Sequence, residues 1–175
     1  MKSNNLETTL DTITKLSLDE ENHESLCNSE KKIINFDKIC NSYAKENRLL
    51  VIPTSNDGLW IEDGKFTFIE FKNGKLNNEW HHLLQKNYDS LLILFDLNLE
   101  EKLPDCKMNL SYSRKNIDYI LVYNGEKKPR KDIHEKVFKL SKETSPRLAH
   151  LEGYLFRKVS ILTAEEFMKE IEPLI

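Results

Sequence analysis

Asp57 is followed thirteen positions later by Glu70-Phe71-Lys72, so two carboxylates and an ammonium fall within one short stretch, DGLWIEDGKFTFIEFKNG, residues 57–74. Two acids on one site can hold a hard divalent ion such as Mg²⁺, whose remaining shell is filled by water and substrate phosphate. A lysine beside that ion can orient or deprotonate an attacking water and offset charge growing on phosphate. This chemistry requires the three side chains to meet. Asp63-Gly64 between two alternating runs predicts a two-residue hairpin loop, because both residues tolerate the positive φ of a type I′ turn. Glu62 then pairs with Lys65, Ile61 with Phe66, Leu59 with Phe68 and Asp57 with Glu70. Side chains alternate along a strand, so Lys72 shares the face of Glu70. Like charges directly opposed on a sheet cost on the order of 0.2–1 kcal/mol, and more once desolvated, which a cation between them would reverse. A purely structural arrangement is the alternative: Asp57 caps a turn, the register slips by one, and Glu70 and Lys72 lie exposed on an edge strand.

The elements that must position these residues follow from periodicity. Leu6, Leu10, Ile13 and Leu16 predict a short amphipathic helix, followed by a polar, acidic and mobile connection. A second helix is expected over 29–47, capped by Ser29, with Ile33, Phe36, Cys40, Tyr43 and Ala44 on one face. Asp37 falls near that apolar stripe. NRLLVIP, 47–53, reads as a short buried strand leading to the hairpin. After it, Trp80, Leu83, Leu84, Tyr88, Leu91 and Leu92 predict a helix from an Asn78 cap to about Phe95. A long connection then leads to a central strand, IDYILVYN. A short helix (IHEKVFKLSKE), a strand (GYLFRKVSIL) and a last helix opened by the Thr163/Glu166 capping box complete the chain. The expected fold is α/β or α+β, a central mixed sheet with a core hairpin flanked by helices. Residues 1–29 form an acidic N-terminal segment and 30–175 a single domain.

Composition narrows the function classes. A 175-residue chain suits one domain with a substantial core. Its net charge of -3 gives no global positive field for nucleic acid, so such a partner must be held locally. Residues 1–30 hold seven acids against two lysines, while 126–142 hold seven Lys/Arg against three acids, a phosphate-facing patch or the solvated side of a helix. Cys27, Cys40 and Cys106 lack CxxC spacing, which disfavours a disulfide framework or a structural zinc site. Neither a signal peptide nor an apolar run long enough to span a bilayer is evident, so a soluble cytoplasmic protein is expected. His81 and His82 are adjacent and diverge by about 100° on a helix, unsuited to one metal. No nucleophile-elbow serine and no phosphate-binding glycine loop is present.

On Asp57 and Glu70-Phe71-Lys72, set in a hairpin with a helix and a strand before it and after it, the chain resembles the PD-(D/E)XK nuclease superfamily. The likeness covers about residues 30–124, with Pro53 four residues before Asp57 rather than adjacent to it. It implies a restriction-endonuclease-like fold, metal-dependent hydrolysis of a DNA or RNA phosphodiester, Mg²⁺ or Mn²⁺ on Asp57 and Glu70, and a catalytic Lys72. It further implies a third acid from the first core helix, with Asp37 the first candidate as metal ligand and Glu46 the second. From the following helix it implies support of water or phosphate by Gln85 or Lys86.

The rival is a binding module that keeps such a fold without turnover, an inhibitor or immunity protein or an assembly subunit. Small size and acidity favour it, because nucleic-acid affinity rests largely on phosphate neutralisation. A protein partner and a homodimer stay open, and no membrane partner is expected.

Overall fold

The computed structural model describes residues 9–73, 80–97, 109–125, 148 and 150–175. A six-stranded mixed sheet runs through it, flanked by helices on both faces. In chain order the elements are β1 (Leu10–Thr12), α1 (Ile13–Leu16), the small pair β2 (Leu18–Asp19) and β3 (Glu24–Ser25), β4 (Lys32–Asn35) and α2 (Phe36–Glu46). Then come β5 (Gly58–Glu62), β6 (Lys65–Lys72), α3 (Trp80–Asp96), α4 (Leu110–Asn116), β7 (Ile117–Tyr123), β8 (Lys158–Thr163) and α5 (Ala164–Glu170). The sheet order is β1-β4-β5-β6-β7-β8, antiparallel from β1 to β6 and parallel from β6 to β8. A parallel neighbour needs a crossover, and α3 lies within the one that returns the chain from β6 to β7.

Alternation along the strands divides the core in two. Phe66, Phe68, Tyr119 and Leu121 face α2 and α3, whereas Ile69, Phe71, Ile120 and Val122 face Ile13, Cys27 and Phe167 of α5. Both faces of β6 are therefore covered, and its residues from Phe66 to Phe71 are all buried. The hairpin has the expected register, Glu62 opposite Lys65 through Gly58 opposite Ile69, with Asp63 and Gly64 both at positive φ. The capping box of Thr163 and Glu166 is formed at α5.

Five expectations for the elements are corrected. The helix expected from Leu6 is, in its described part, strand β1 followed by four helical residues capped by Thr12. The helix expected over 29–47 is strand β4 followed by α2, because Ile33 and Ile34 bury on opposite faces of the sheet and the Asn35 side chain caps the helix through Lys38 N. Residues 47–53 form no strand: β5 already has β4 and β6 on its two edges, and Leu50 is 102% exposed. The long connection before β7 contains α4, capped by Asn109, and the strand expected from Gly153 begins at Lys158, after a turn at whose bend Gly153 has φ +73. The helix expected at IHEKVFKLSKE and the Asn78 cap lie outside the described residues.

From residues 10–29, β1 joins the main sheet and Ile13 and Cys27 its core, while β2 and β3 form a sheet of their own. β1 pairs with β4, Ile13 is fully buried, and Asp11 at the edge strand accepts from Lys15, Lys38 and Asn35. Burial would raise the Asp11 pKa, but these cations and the Asn35 amide outweigh it and lower it from 3.8 to about 2. A carboxyl with a lowered folded-state pKa adds stability that is complete above its unfolded value and lost as pH falls through the folded one. Asp11→Asn is therefore expected to cost on the order of 1–3 kcal/mol in denaturant melts at pH 7, a difference that vanishes near pH 2.

Candidate functional site

Asp57 directly precedes β5, and its position is fixed from several sides. Its carbonyl accepts from Phe36 N at 3.0 Å, and its Oδ2 accepts from Phe71 N at 2.6 Å. The loop leading to it is tied to α3, where Asp89 Oδ2 accepts from Thr54 N and Oγ1 at 3.0 and 2.8 Å and Ser90 Oγ accepts from Asn56 N at 2.9 Å. Cys40 Sγ donates to Pro53 O at 3.1 Å from α2. Continuing the hairpin register by one pair sets Asp57 across from Glu70.

Glu70 sits on β6, a central strand, and is only 3% exposed. The edge-strand alternative is thereby overturned. The ammonium in contact with both acids comes from α3: Lys86 Nζ lies 2.6 Å from Glu70 Oε1 and 3.5 Å from Asp57 Oδ1. Lys86 is three positions after Leu83 and four before Ser90, both buried, so the helix aims it at the sheet. Asp37 enters from the first turn of α2 and accepts from Ser55 Oγ at 2.5 Å. It is exposed, not on the buried stripe, because the helix starts at Phe36 and its stripe is Phe36, Ile39, Cys40 and Ala44. Its charge still acts on Asp57, Glu70 and Lys86.

The electrostatics are those of two buried acids sharing one cation. Burial raises the Asp57 pKa from 3.8 to about 6, against the lowering effect of Lys86 and the Phe71 N–H. Glu70 is pushed well above its ordinary value by burial and by the Asp57 charge. For Lys86 burial alone would lower the pKa, but the charges of Asp57 and Glu70 prevail and raise it. Lys86 is thus a permanent cation at neutral pH, whereas the acids can take up a proton.

Among the sequence candidates, the structure brings Asp57, Glu70 and Lys86 into contact and sets Asp37 within electrostatic reach. Lys72 ends β6, half-buried, two residues after Glu70, and Gln85 is exposed on α3, one position and about 100° round the helix from Lys86. Glu46 ends α2 and is exposed. Sequence reasoning missed the fully buried polar residues beside the acids, Asn56, Asn87 and Ser90. Their signal was present: Asn87 and Ser90 interrupt an apolar stripe running from Leu83 to Leu94.

The donor chemistry of the two acids is of the kind a hard divalent ion takes. Both acids supply hard oxygens, and Glu70 Oε2 is buried with no hydrogen-bond partner among the described residues. No group of three or more His, Cys, Asp and Glu able to cage an ion occurs among those residues. One or two carboxylates with water and phosphate are the usual protein share of a Mg²⁺ shell. Comparison with family models, with curated proteins and with solved structures finds no match to this chain.

Removing Lys86 leaves two uncompensated buried acids. Lys86→Met is expected to cost on the order of 3–5 kcal/mol at pH 7. The loss should shrink in unfolding measurements as pH drops through about 6, where Asp57 takes up its proton. The intact site should lose stability as pH rises over the same window, since its acids bind protons more tightly folded than unfolded. Glu70→Gln should flatten that slope.

Proposed function

We propose that the chain is a divalent-metal-dependent phosphodiesterase acting on DNA or RNA, built on a restriction-endonuclease-like core. The observation that carries the reading is the pair Asp57 and Glu70, opposed at one end of the hairpin around Lys86. An ion pair serving stability alone gains little from a second buried acid, because desolvation of each charge costs several kcal/mol. Asp57 and Glu70 would hold Mg²⁺ or Mn²⁺, which would supply Lewis-acid chemistry at a phosphate. Lys86, held protonated by its neighbours, stabilises charge accumulating on the phosphoryl oxygens rather than acting as a base. Lys72 keeps the catalytic role that the resemblance implies, Asp37 contributes its charge from the exposed side, and Gln85 stands near the rim.

A second reading, a non-catalytic binding module, is favoured by one feature: Lys86 already lies between the two acids and neutralises them. Divalent-ion titration discriminates. The nuclease reading predicts that millimolar Mg²⁺ or Mn²⁺ raises the melting temperature, that Asp57→Asn and Glu70→Gln abolish the rise, and that cleavage of labelled single- or double-stranded nucleic acid requires the ion. Lys86→Met should lower the cleavage rate by roughly 10²–10³, and Lys72→Ala should abolish it. A protein that gains no stability from either ion, and becomes more stable in both acid variants, would establish the second reading instead.

A further inference from the structure

Three buried polar atoms make no hydrogen bond among the described residues: Glu70 Oε2, Asn56 Oδ1 and the Tyr119 hydroxyl. Each belongs to a residue that is at most 3% exposed. An unsatisfied buried donor or acceptor costs about 1–3 kcal/mol, so three in one domain need a physical explanation. They are also neighbours. Tyr119 pairs with Phe68 and Glu70 with Leu121 on the parallel strands β6 and β7, and the alternation of both strands sets Tyr119 and Glu70 on the same face. Across that face stands Asn87 of α3, whose side-chain amide bears on the Tyr119 hydroxyl. Asn87 Oδ1 accepts from Asn56 Nδ2 at 3.4 Å. Asn87 thus stands between the tyrosine and the residue preceding Asp57.

The atoms are chemically complementary. A phenol can donate, while an amide oxygen and a carboxylate oxygen accept, and a buried water typically makes about three bonds to such groups. We propose that Glu70, Asn56 and Tyr119 enclose a buried hydration site: one ordered water donates to Glu70 Oε2 and Asn56 Oδ1 and accepts from the Tyr119 hydroxyl. Through that water Tyr119 is a positioning residue for Glu70, fixing its carboxylate from the side opposite Lys86. The charged groups that act on Glu70 are then Lys86 from α3, Asp57 from the start of β5 and Asp37 from α2, with Tyr119 the neutral contributor from β7. The site stands whether or not the chain hydrolyses phosphodiesters.

A crystal structure of the wild-type protein at high resolution tests it first. A density peak at hydrogen-bond distance from all three atoms is the expected result. No peak there, or a direct bond between Tyr119 and Glu70, would overturn the proposal. Tyr119→Phe supplies the second readout by removing one donor without changing the ring. The structure of that variant should show the density peak weakened or moved and the Glu70 carboxylate turned from its wild-type position. A peak and a carboxylate both unchanged without the hydroxyl would overturn the positioning role. If Tyr119→Phe does not fold, Asn56→Ala with the same measurement serves in its place: the peak should weaken or move, and a peak unchanged without the amide would overturn the three-contact site.

Discussion

Two carboxylates and one ammonium, Glu70 buried and Asp57 and Lys86 part-buried, set the terms for everything near this end of the hairpin. Burial by itself raises each acid and lowers the lysine, and each group's charge offsets that effect on its partners. The direction of every shift follows from this. Burial raises both acids, the cation limits the rise, and the acids in turn keep the lysine protonated. Such an arrangement is costly to fold, and the cost is concentrated at one end of the hairpin.

The surrounding fold supplies rigidity at that place. β6 is covered on both faces and paired on both edges, so Glu70 has little freedom to turn outward. The residues before Asp57 are held by side chains from two helices, with Asp37 and Cys40 on α2 and Asn87, Asp89 and Ser90 on α3. The Phe71 amide, directly after Glu70, donates to Asp57, so the two acids are linked through backbone as well as through Lys86. Hydrogen bonds to charged groups inside a low-dielectric region are stronger than those at the surface, which suits a site that must hold its geometry.

How much of this was legible in the sequence depends on which interactions were local. The hairpin was readable because Asp63-Gly64 dictates its turn and the turn dictates every opposed pair, including Asp57 with Glu70. The α5 cap was readable for the same reason. The division of residues 29–47 into strand and helix was not, because Ile33, Phe36, Cys40 and Ala44 also satisfy a helical period, and only pairing of β4 with β1 and β5 decides the matter. The exposure of Leu49 to Ile52 was equally hidden, since apolar residues argue for burial and only the pairing of β5 with β4 and β6 on both its edges excludes them. At the site, the choice of Lys86 as the contacting cation depends on how α3 docks against β6, a tertiary fact with a faint local sign in the polar residues interrupting its apolar stripe. The family resemblance directed attention to Lys72 as the catalytic lysine, and the ammonium against both acids is that of Lys86. Among the described residues, no helix is long and apolar enough to cross a membrane.

The central claim is that Asp57 and Glu70 share one desolvated electrostatic environment with Lys86. Site-resolved carboxyl-carbon NMR of the ion-free protein between pH 3 and 9 measures this directly. The expected result is a midpoint near 6 for Asp57, one raised well above the ordinary carboxylate range for Glu70, and mutual dependence, each curve moving when the other acid is replaced by its amide. Two independent midpoints in the ordinary carboxylate range of about 3.5–4.5 would contradict it.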